Sequence, residues 1–408
     1  MTRVVFISHG HPDLSKGGAE MASWNLYQSL QDRDDFECLY IARTDKPSHG
    51  GSTFSVRNNE LLLHTQMTDW FNLSSSNLKP LFQDLGSLLQ QFAADVVHIH
   101  HYAHIGIELF AAIKQALPEA KIVFTLHEFM AMCMHNGQMV KKPSLKLCDK
   151  PSPNDCHECF PQHSPANIFL RKGYILDQFG LVDKFISPSQ FLAERYIDWG
   201  VDKSKMHVIE NVLPSFEAIK PRSISANQKR GKLAFFGQIN PYKGLDILLT
   251  AIQLLPDEIL SHVTLDIHGA NLEQQTNEVK DKFSQLLNET AKNVTMRGAY
   301  EPHQMSGLLG ECDWVIIPSI WWENSPVVIQ EAAAHGRPLI GANIGGMKEK
   351  IEGKCGITFE ARSAASLADT IVKAIEPDIY NTWQSRLAID RTALVQHLDF
   401  LSNINRSA

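Results

Sequence analysis

Short β-branched and aromatic runs alternate with longer helical patterns along nearly the whole chain, and this alternation constrains the fold more than any other feature. It is the pattern of parallel sheets covered by helices. In the first half, strands are expected at residues 3–8, 36–42, 96–100, 121–126 and 184–187, with a further pair at 53–57 and 61–66. Helices are expected at 20–30, 79–92, 106–117, 166–178 and 190–199. A polar stretch containing Pro214 and Pro221 interrupts the pattern, and such composition suits a linker. A second series follows, with strands at 232–236, 263–268, 294–297, 314–318 and 338–341. Its helices are expected at 244–255, 271–290, 303–309, 327–335 and 364–375. The stretch 379–401 reads as helix with no strand after it.

A chain of 408 residues exceeds one ordinary core, so two domains of roughly 150–200 residues are expected. We place the first at 1–212, a linker at 213–231 and the second at 232–376, with a helical tail, 377–408, returning to the first. Two doubly wound domains would set the carboxyl ends of their sheets at a central cleft, where ligands of this architecture bind. The formal net charge of -7 argues against general nucleic-acid binding, which needs a basic surface. The opening apolar run, Val4 to Ile7, is too short for a signal-peptide core. No stretch reaches the length of a membrane span. The expectation is a cytoplasmic protein with reduced cysteines, and a peripheral contact at the inner membrane face stays open.

The unusual residues cluster just after the expected strands. Lys16-Gly17-Gly18-Ala19-Glu20 opens a helix after the first strand. Adjacent glycines and a helix N-terminus suit an anion, although a tight turn alone would explain the glycines equally well. The Rossmann G-x-G-x-x-G spacing is absent. His127 stands at the end of another strand, where an imidazole can hydrogen-bond a phosphate or a substrate hydroxyl. Its neighbours His98, His100, His101 and His104 compete for that part. Phe236-Gly237-Gln238 leads to Lys243-Gly244, and a lysine there can offset charge developing on a diphosphate. The most specific segment is Glu323-Asn324-Ser325-Pro326-Val327 through Glu331. Pro326 suits the first turn of a helix, with Ser325 as its cap, leaving Glu323 on a loop and Glu331 inside the helix. Gly345-Gly346 follows and permits close backbone approach.

This ordered set of Gly17-Gly18, His127, Lys243-Gly244, Glu323 to Glu331 and Gly345-Gly346 resembles the retaining glycosyltransferases of family 4, an α/β class with two Rossmann-like domains in the GT-B fold. The resemblance covers almost the whole chain. It implies transfer of a sugar from a nucleoside-diphosphate-sugar donor to a saccharide, a lipid-linked acceptor or another hydroxyl, in glycan or polysaccharide synthesis. Gly18 would approach the donor phosphates with Gly17, Lys243 would pair with the diphosphate, and His127 would lie beside the reacting sugar. Glu323, with backbone N–H groups from Asn324 to Val327, would hold sugar hydroxyls, and Glu331 would hold the ribose. Catalysis would need no cofactor beyond the donor. Family members commonly carry an arginine where this chain has Gln238, which brings neither charge nor a bidentate fork. Arg297 and Lys348 are candidate substitutes. Rival readings are a phosphorylase-like enzyme, a nucleotide-sugar epimerase, and an inactive nucleotide-sugar-binding partner of another transferase. Gln238 favours the last of these.

Cys133, Cys148, Cys156 and Cys159 crowd the segment after His127. The C-x-x-C spacing and four thiolates suit a structural zinc ion. A reduced or redox-sensitive cluster and a disulfide stay open beside it. Lys141, Lys142, Lys146, Lys150, Arg171 and Lys172 make the same segment basic. An ordinary solvated loop and a surface for an anionic acceptor or membrane are both compatible with that.

Overall fold

The computed structural model of the chain describes residues 1–15, 17–214, 219–387 and 392–404. The chain divides into two compact units, one of Met1–Pro214 with Arg391–Ala408 and one of Ser215–Asp390.

In the first unit, β1 (Thr2–Ser8), α1 (Gly18–Gln31), β2 (Phe36–Thr44), β3 (Phe54–Arg57) and β4 (Glu60–His64) open the chain. After α2 (Gly86–Phe92) come β5 (Val96–Ile99), α3 (Leu109–Ala116) and β6 (Lys121–Thr125). Then follow α4 (Pro153–Cys159), α5 (Pro165–Gly180), β7 (Lys184–Ser187), α6 (Gln190–Trp199) and β8 (Met206–Val208). The sheet order is β3-β4-β2-β1-β5-β6-β7-β8, parallel except for the β3–β4 hairpin. Val4, Val5, Phe6 and Ile7 are wholly buried, as a central strand covered on both faces requires.

The second unit runs β9 (Lys232–Phe236), α7 (Leu245–Gln253), α8 (Asp257–Leu260), β10 (Thr264–His268), α9 (Asn277–Thr290) and β11 (Val294–Gly298). It continues α10 (Met305–Gly310), β12 (Trp314–Ile317), α11 (Val327–Ala334), β13 (Leu339–Ala342), α12 (Gly345–Ile351), β14 (Gly356–Phe359), α13 (Ala364–Ala374) and α14 (Pro377–Arg386). Its parallel sheet has the order β11-β10-β9-β12-β13-β14. That is the doubly wound order with its topological switch between the first and fourth strands.

Three departures from the sequence reading have local causes. The expected single tail helix is two: α14 belongs to the second unit, where Tyr380 buries its ring edge-on to Trp314 at 5.9 Å. Only α15 (Thr392–Asn403) joins the first unit, through Leu401 and a 3.0 Å bond between His397 Nε2 and the Glu210 carbonyl. The expected linker is also no free strand beyond residue 218. The buried Arg337 donates to the carbonyls of Ile219 and Lys220, and Arg222 and Arg230 converge on the buried Asp313. Lastly, the expected helix 79–92 begins as a π-helical turn, Pro80–Leu85, before α2. Among the described residues, no helix is long and apolar enough to cross a membrane.

Candidate functional site

The switch point of the second sheet lies between β9 and β12, and the loops leaving those strands are tied together. Ile320 N–H donates to the Tyr242 carbonyl at 2.9 Å. The Asn240 side chain caps the turn by accepting from the N–H groups of Tyr242 and Lys243. Gly244 follows in the left-handed region, φ 67°, and a Cβ there would strike the Pro318 carbonyl, so only glycine lets the two loops approach.

This scaffold brings Lys243 and Glu323 together. Lys243 Nζ stands 2.5 Å from Glu323 Oε1, and the same oxygen accepts from Ser319 Oγ and Trp321 Nε1, each at 2.9 Å. The ammonium also lies 5.6 Å from the Trp321 ring centroid. Glu323 is 7% exposed, and a carboxylate so buried is sustained by charge-assisted donors. Ser319 and the indole of Trp321 are the partners that sequence reasoning missed as donors; their place directly after a central strand was the available signal.

Asn324 and Ser325 are buried beside Glu323. The expected Ser325 cap is replaced: Pro326 takes the N-cap position and α11 starts at Val327 without a side-chain cap. Proline carries no side-chain acceptor to cap the first N–H groups of the helix, and Ile329 N–H donates to the Pro326 carbonyl at 2.9 Å. Gly346 serves packing here. A Cβ on it would lie 1.5 Å from the Asn324 carbonyl oxygen, and its N–H donates to the Glu323 carbonyl at 2.9 Å.

Glu331 sits half-buried on α11, and burial pushes its carboxyl up to about 7. Tyr300 lies close enough that this carboxyl helps raise its phenol, and Tyr300 packs edge-on to Phe236, itself stacked on His268. Gln238 is exposed on the loop after β9. Arg297 is paired with Asp266 at 2.8 Å and Lys348 with Glu352 at 3.8 Å.

The first unit gathers histidines at its own switch point, between β1 and β5. His9 and His101 rings lie 4.3 Å apart, and His104 stacks on His9. His127 Nε2 is 3.1 Å from His100 Nδ1. Burial, and then the nearby His101, lowers His127 to about 3, so its imidazole is neutral at any ordinary pH. His101 Nδ1 accepts from Ala103 N–H, which leaves its Nε2 to donate toward Glu128 Oε1 at 3.3 Å. Gly17 is the N-cap of α1, but Glu20 fills the space beside it. That carboxylate accepts from Ser15 Oγ at 2.8 Å and faces His9 at 3.4 Å. The helix start read as an anion site thus already holds the chain's own carboxylate.

The four cysteines of residues 133–159 line one narrow cavity. The basic character of this segment is largely spent internally. Lys141 pairs with Asp155 and Lys150 with Asp198. Arg171 is buried, its guanidinium donating to the carbonyls of Phe71, Met130 and Ala131.

Residues 16–214 match the family model of Glycosyltransferase Family 4, and residues 230–377 match that of Glycosyl transferases group 1. The 41.2 kDa protein in the cps region of Klebsiella pneumoniae is 24% identical over 321 residues, 76% of each chain. A D-inositol 3-phosphate glycosyltransferase of Mycobacterium sp. (strain JLS) is 24% identical over 287 residues, 68% of this chain and 58% of that protein. Among solved structures, Anabaena HepE in complex with UDP superposes with a TM-score of 0.65 at 18% identity, covering 99% of this chain and 100% of that one. Sucrose-phosphate synthase from Thermosynechococcus elongatus gives 0.71 at 15% identity, with both chains wholly covered. The fold and the two matched models lead to one assignment: the chain belongs to the family 4, group 1 glycosyltransferases and has their GT-B fold.

Proposed function

We propose that this glycosyltransferase takes a sugar from a nucleoside-diphosphate-sugar donor and delivers it, with retained anomeric configuration, to a hydroxyl of a saccharide or lipid-linked acceptor. The reading rests on one observation above others: a lysine and a buried glutamate joined at the switch point of a doubly wound sheet. That crevice is where such sheets bind nucleotides. HepE has been solved with UDP-glucose, which makes UDP-glucose the first donor to test.

In this reaction Lys243 leaves Glu323 for the diphosphate and stabilises the charge that grows on the departing group. Glu323, released from the ammonium, accepts from the donor sugar's hydroxyls. N–H groups at the start of α11 supply further donors, and Glu331 accepts from the ribose. The acceptor hydroxyl attacks from the face the diphosphate leaves, and its proton passes to the departing phosphate oxygen as the old glycosyl–phosphate bond breaks. His127, neutral throughout, offers a hydrogen bond to the substrate rather than a charge.

A panel of nucleotide sugars read by thermal shift, followed by transfer and donor-hydrolysis assays, tests the proposal. A stabilising donor that is also turned over is expected, with Lys243→Ala and Glu323→Ala each losing turnover. Activity untouched by both substitutions would remove the assigned site. Gln238 supports a second reading, a donor-binding partner without turnover. For that protein, a donor would raise the melting temperature while no product formed with any acceptor.

A further inference from the structure

We propose that Cys133, Cys148, Cys156 and Cys159 form a four-thiolate site for one zinc ion, independent of the sugar-transfer reading. Three separate pieces of chain bring these side chains to the same cavity, together with Met132, Met139 and Phe160. Cys133 ends a turn in which its N–H donates to the Phe129 carbonyl at 2.8 Å. Cys148 leaves a small hairpin closed by the Val140–Leu147 bridge and by Cys148 N–H donating to the Met139 carbonyl at 2.8 Å. Cys156 and Cys159 lie on α4, whose first turn is fixed by Pro153 and by Ser152 accepting from Asp155 N–H. Residues three apart on a helix share a face, so the C-x-x-C pair presents two sulfurs to the hairpin.

Backbone N–H groups are aimed at two of these sulfurs. The N–H groups of His135 and Met139 donate to Cys133 Sγ, and Lys142 N–H donates to Cys159 Sγ at 3.4 Å. Donors aimed at sulfur stabilise a charged sulfur and gain little beside a disulfide, which is why metal thiolates are surrounded by them. Four cysteines satisfy tetrahedral zinc with no place left for substrate, the composition of a structural site. Among the described residues no three His, Cys, Asp or Glu side chains are posed to hold a metal as they stand. Each thiol, however, has a single rotatable bond, and a change of χ1 rotamer re-aims it without moving backbone. Loading exchanges protons for metal: four Cys–SH and one Zn²⁺ give Zn(S–Cys)₄²⁻ and four H⁺. The ion would fasten α4 and the hairpin to the turn that begins at Glu128, adding to the Lys141–Asp155 pair a staple for a long irregular segment.

The experiment uses the full chain, expressed in zinc-supplemented medium and purified under reductant, with metal content read by plasma mass spectrometry. About one zinc per chain is expected, falling at least tenfold in Cys156→Ser and Cys159→Ser and unchanged in Cys38→Ser, which lies outside the cluster on β2. Replacing zinc by Co²⁺ in the wild-type chain should give thiolate-to-cobalt charge-transfer bands and the intense visible bands of a tetrahedral site. Because the cobalt spectrum needs no variant, it stands even if the serine variants fold poorly. No zinc and no such spectrum, iron in place of zinc, or a Cys156–Cys159 disulfide in chain alkylated directly from cells would each overturn the site.

Discussion

Gly346→Ala is the sharpest test of how the Glu323 loop is held. The added Cβ would lie 1.5 Å from the Asn324 carbonyl oxygen, 2.5 Å from its carbon and 2.9 Å from the Glu323 carbonyl oxygen. All three are backbone atoms, so no side chain can swing aside. An unstrained carbon–oxygen contact needs about 3.3 Å, so α12 and the loop must part by roughly 1.8 Å. Overpacking of this kind costs about 1–3 kcal/mol, which lowers the melting temperature of a domain this size by roughly 2–12 °C. Misplacing a substrate-positioning group by about 1 Å costs on the order of 100-fold in rate. We therefore expect kcat/KM for donor turnover to fall at least that far while the chain stays folded at 25 °C. Gly353→Ala is the control: its φ of 70° carries backbone strain, but no atom lies within 4 Å of the new Cβ. It should lower the melting temperature and leave kcat/KM unchanged. Wild-type kcat/KM and melting temperature in Gly346→Ala would refute the claim that this contact sets the loop.

Lys243→Met should leave Glu323 buried with the Ser319 and Trp321 donors but no ammonium, and lower kcat/KM about 100- to 1,000-fold; donor titration calorimetry with unchanged affinity would count against its place at the diphosphate. Glu331 binds its proton up to about 7 in the folded chain against an ordinary 4.5. The unfolded chain therefore binds fewer protons between those values, and stability of the ligand-free protein should fall as pH rises from about 4.5 to 7. Glu331→Gln should flatten that part of the profile, measured by urea unfolding at pH 5 to 8; a parallel profile would refute the assignment. His127, lowered from 6.5 to about 3, acts in the opposite direction. The unfolded chain takes up the proton first, so stability is lost as pH falls below about 6.5. His127→Gln should make that acid loss shallower by up to about 1.4 kcal/mol per pH unit, and an unaltered slope between pH 6.5 and 5 would contradict it.

The parallel-sheet class was legible because central strands such as Val4 to Ile7 and Trp314 to Ile317 are continuous apolar runs, buried on both faces. Met206–Val208 and Gly356–Phe359 escaped because three or four residues at a sheet edge carry too little pattern. The helix at Pro153–Cys159 did have a signal: Ser152, Pro153 and Asp155 spell an N-cap, a first-turn proline and an acidic third position. Gly345-Gly346 was read as permitting a close backbone approach, with no partner assigned to it. One-dimensional spacing states that a backbone must come near something, while only the tertiary structure says that the something is Asn324. The Lys243–Glu323 pair was out of reach for the same reason, since eighty positions separate two residues that share one oxygen.

That pair has a consequence for how the site chooses and releases what it binds. In the ligand-free chain the site is electrically closed, with Lys243 already answered by a carboxylate. A free phosphate arriving there would have to strand Glu323 in low dielectric, and an unpaired buried charge is costly. Under the proposed function, a nucleotide sugar would satisfy both ends at once, anion to lysine and hydroxyls to glutamate, and so would work as a two-part key. After transfer the hydroxyls would leave with the acceptor, Glu323 would regain its ammonium, and the spent nucleotide would face a rival built into the protein. Discrimination at entry and expulsion at exit would then come from a single 2.5 Å contact.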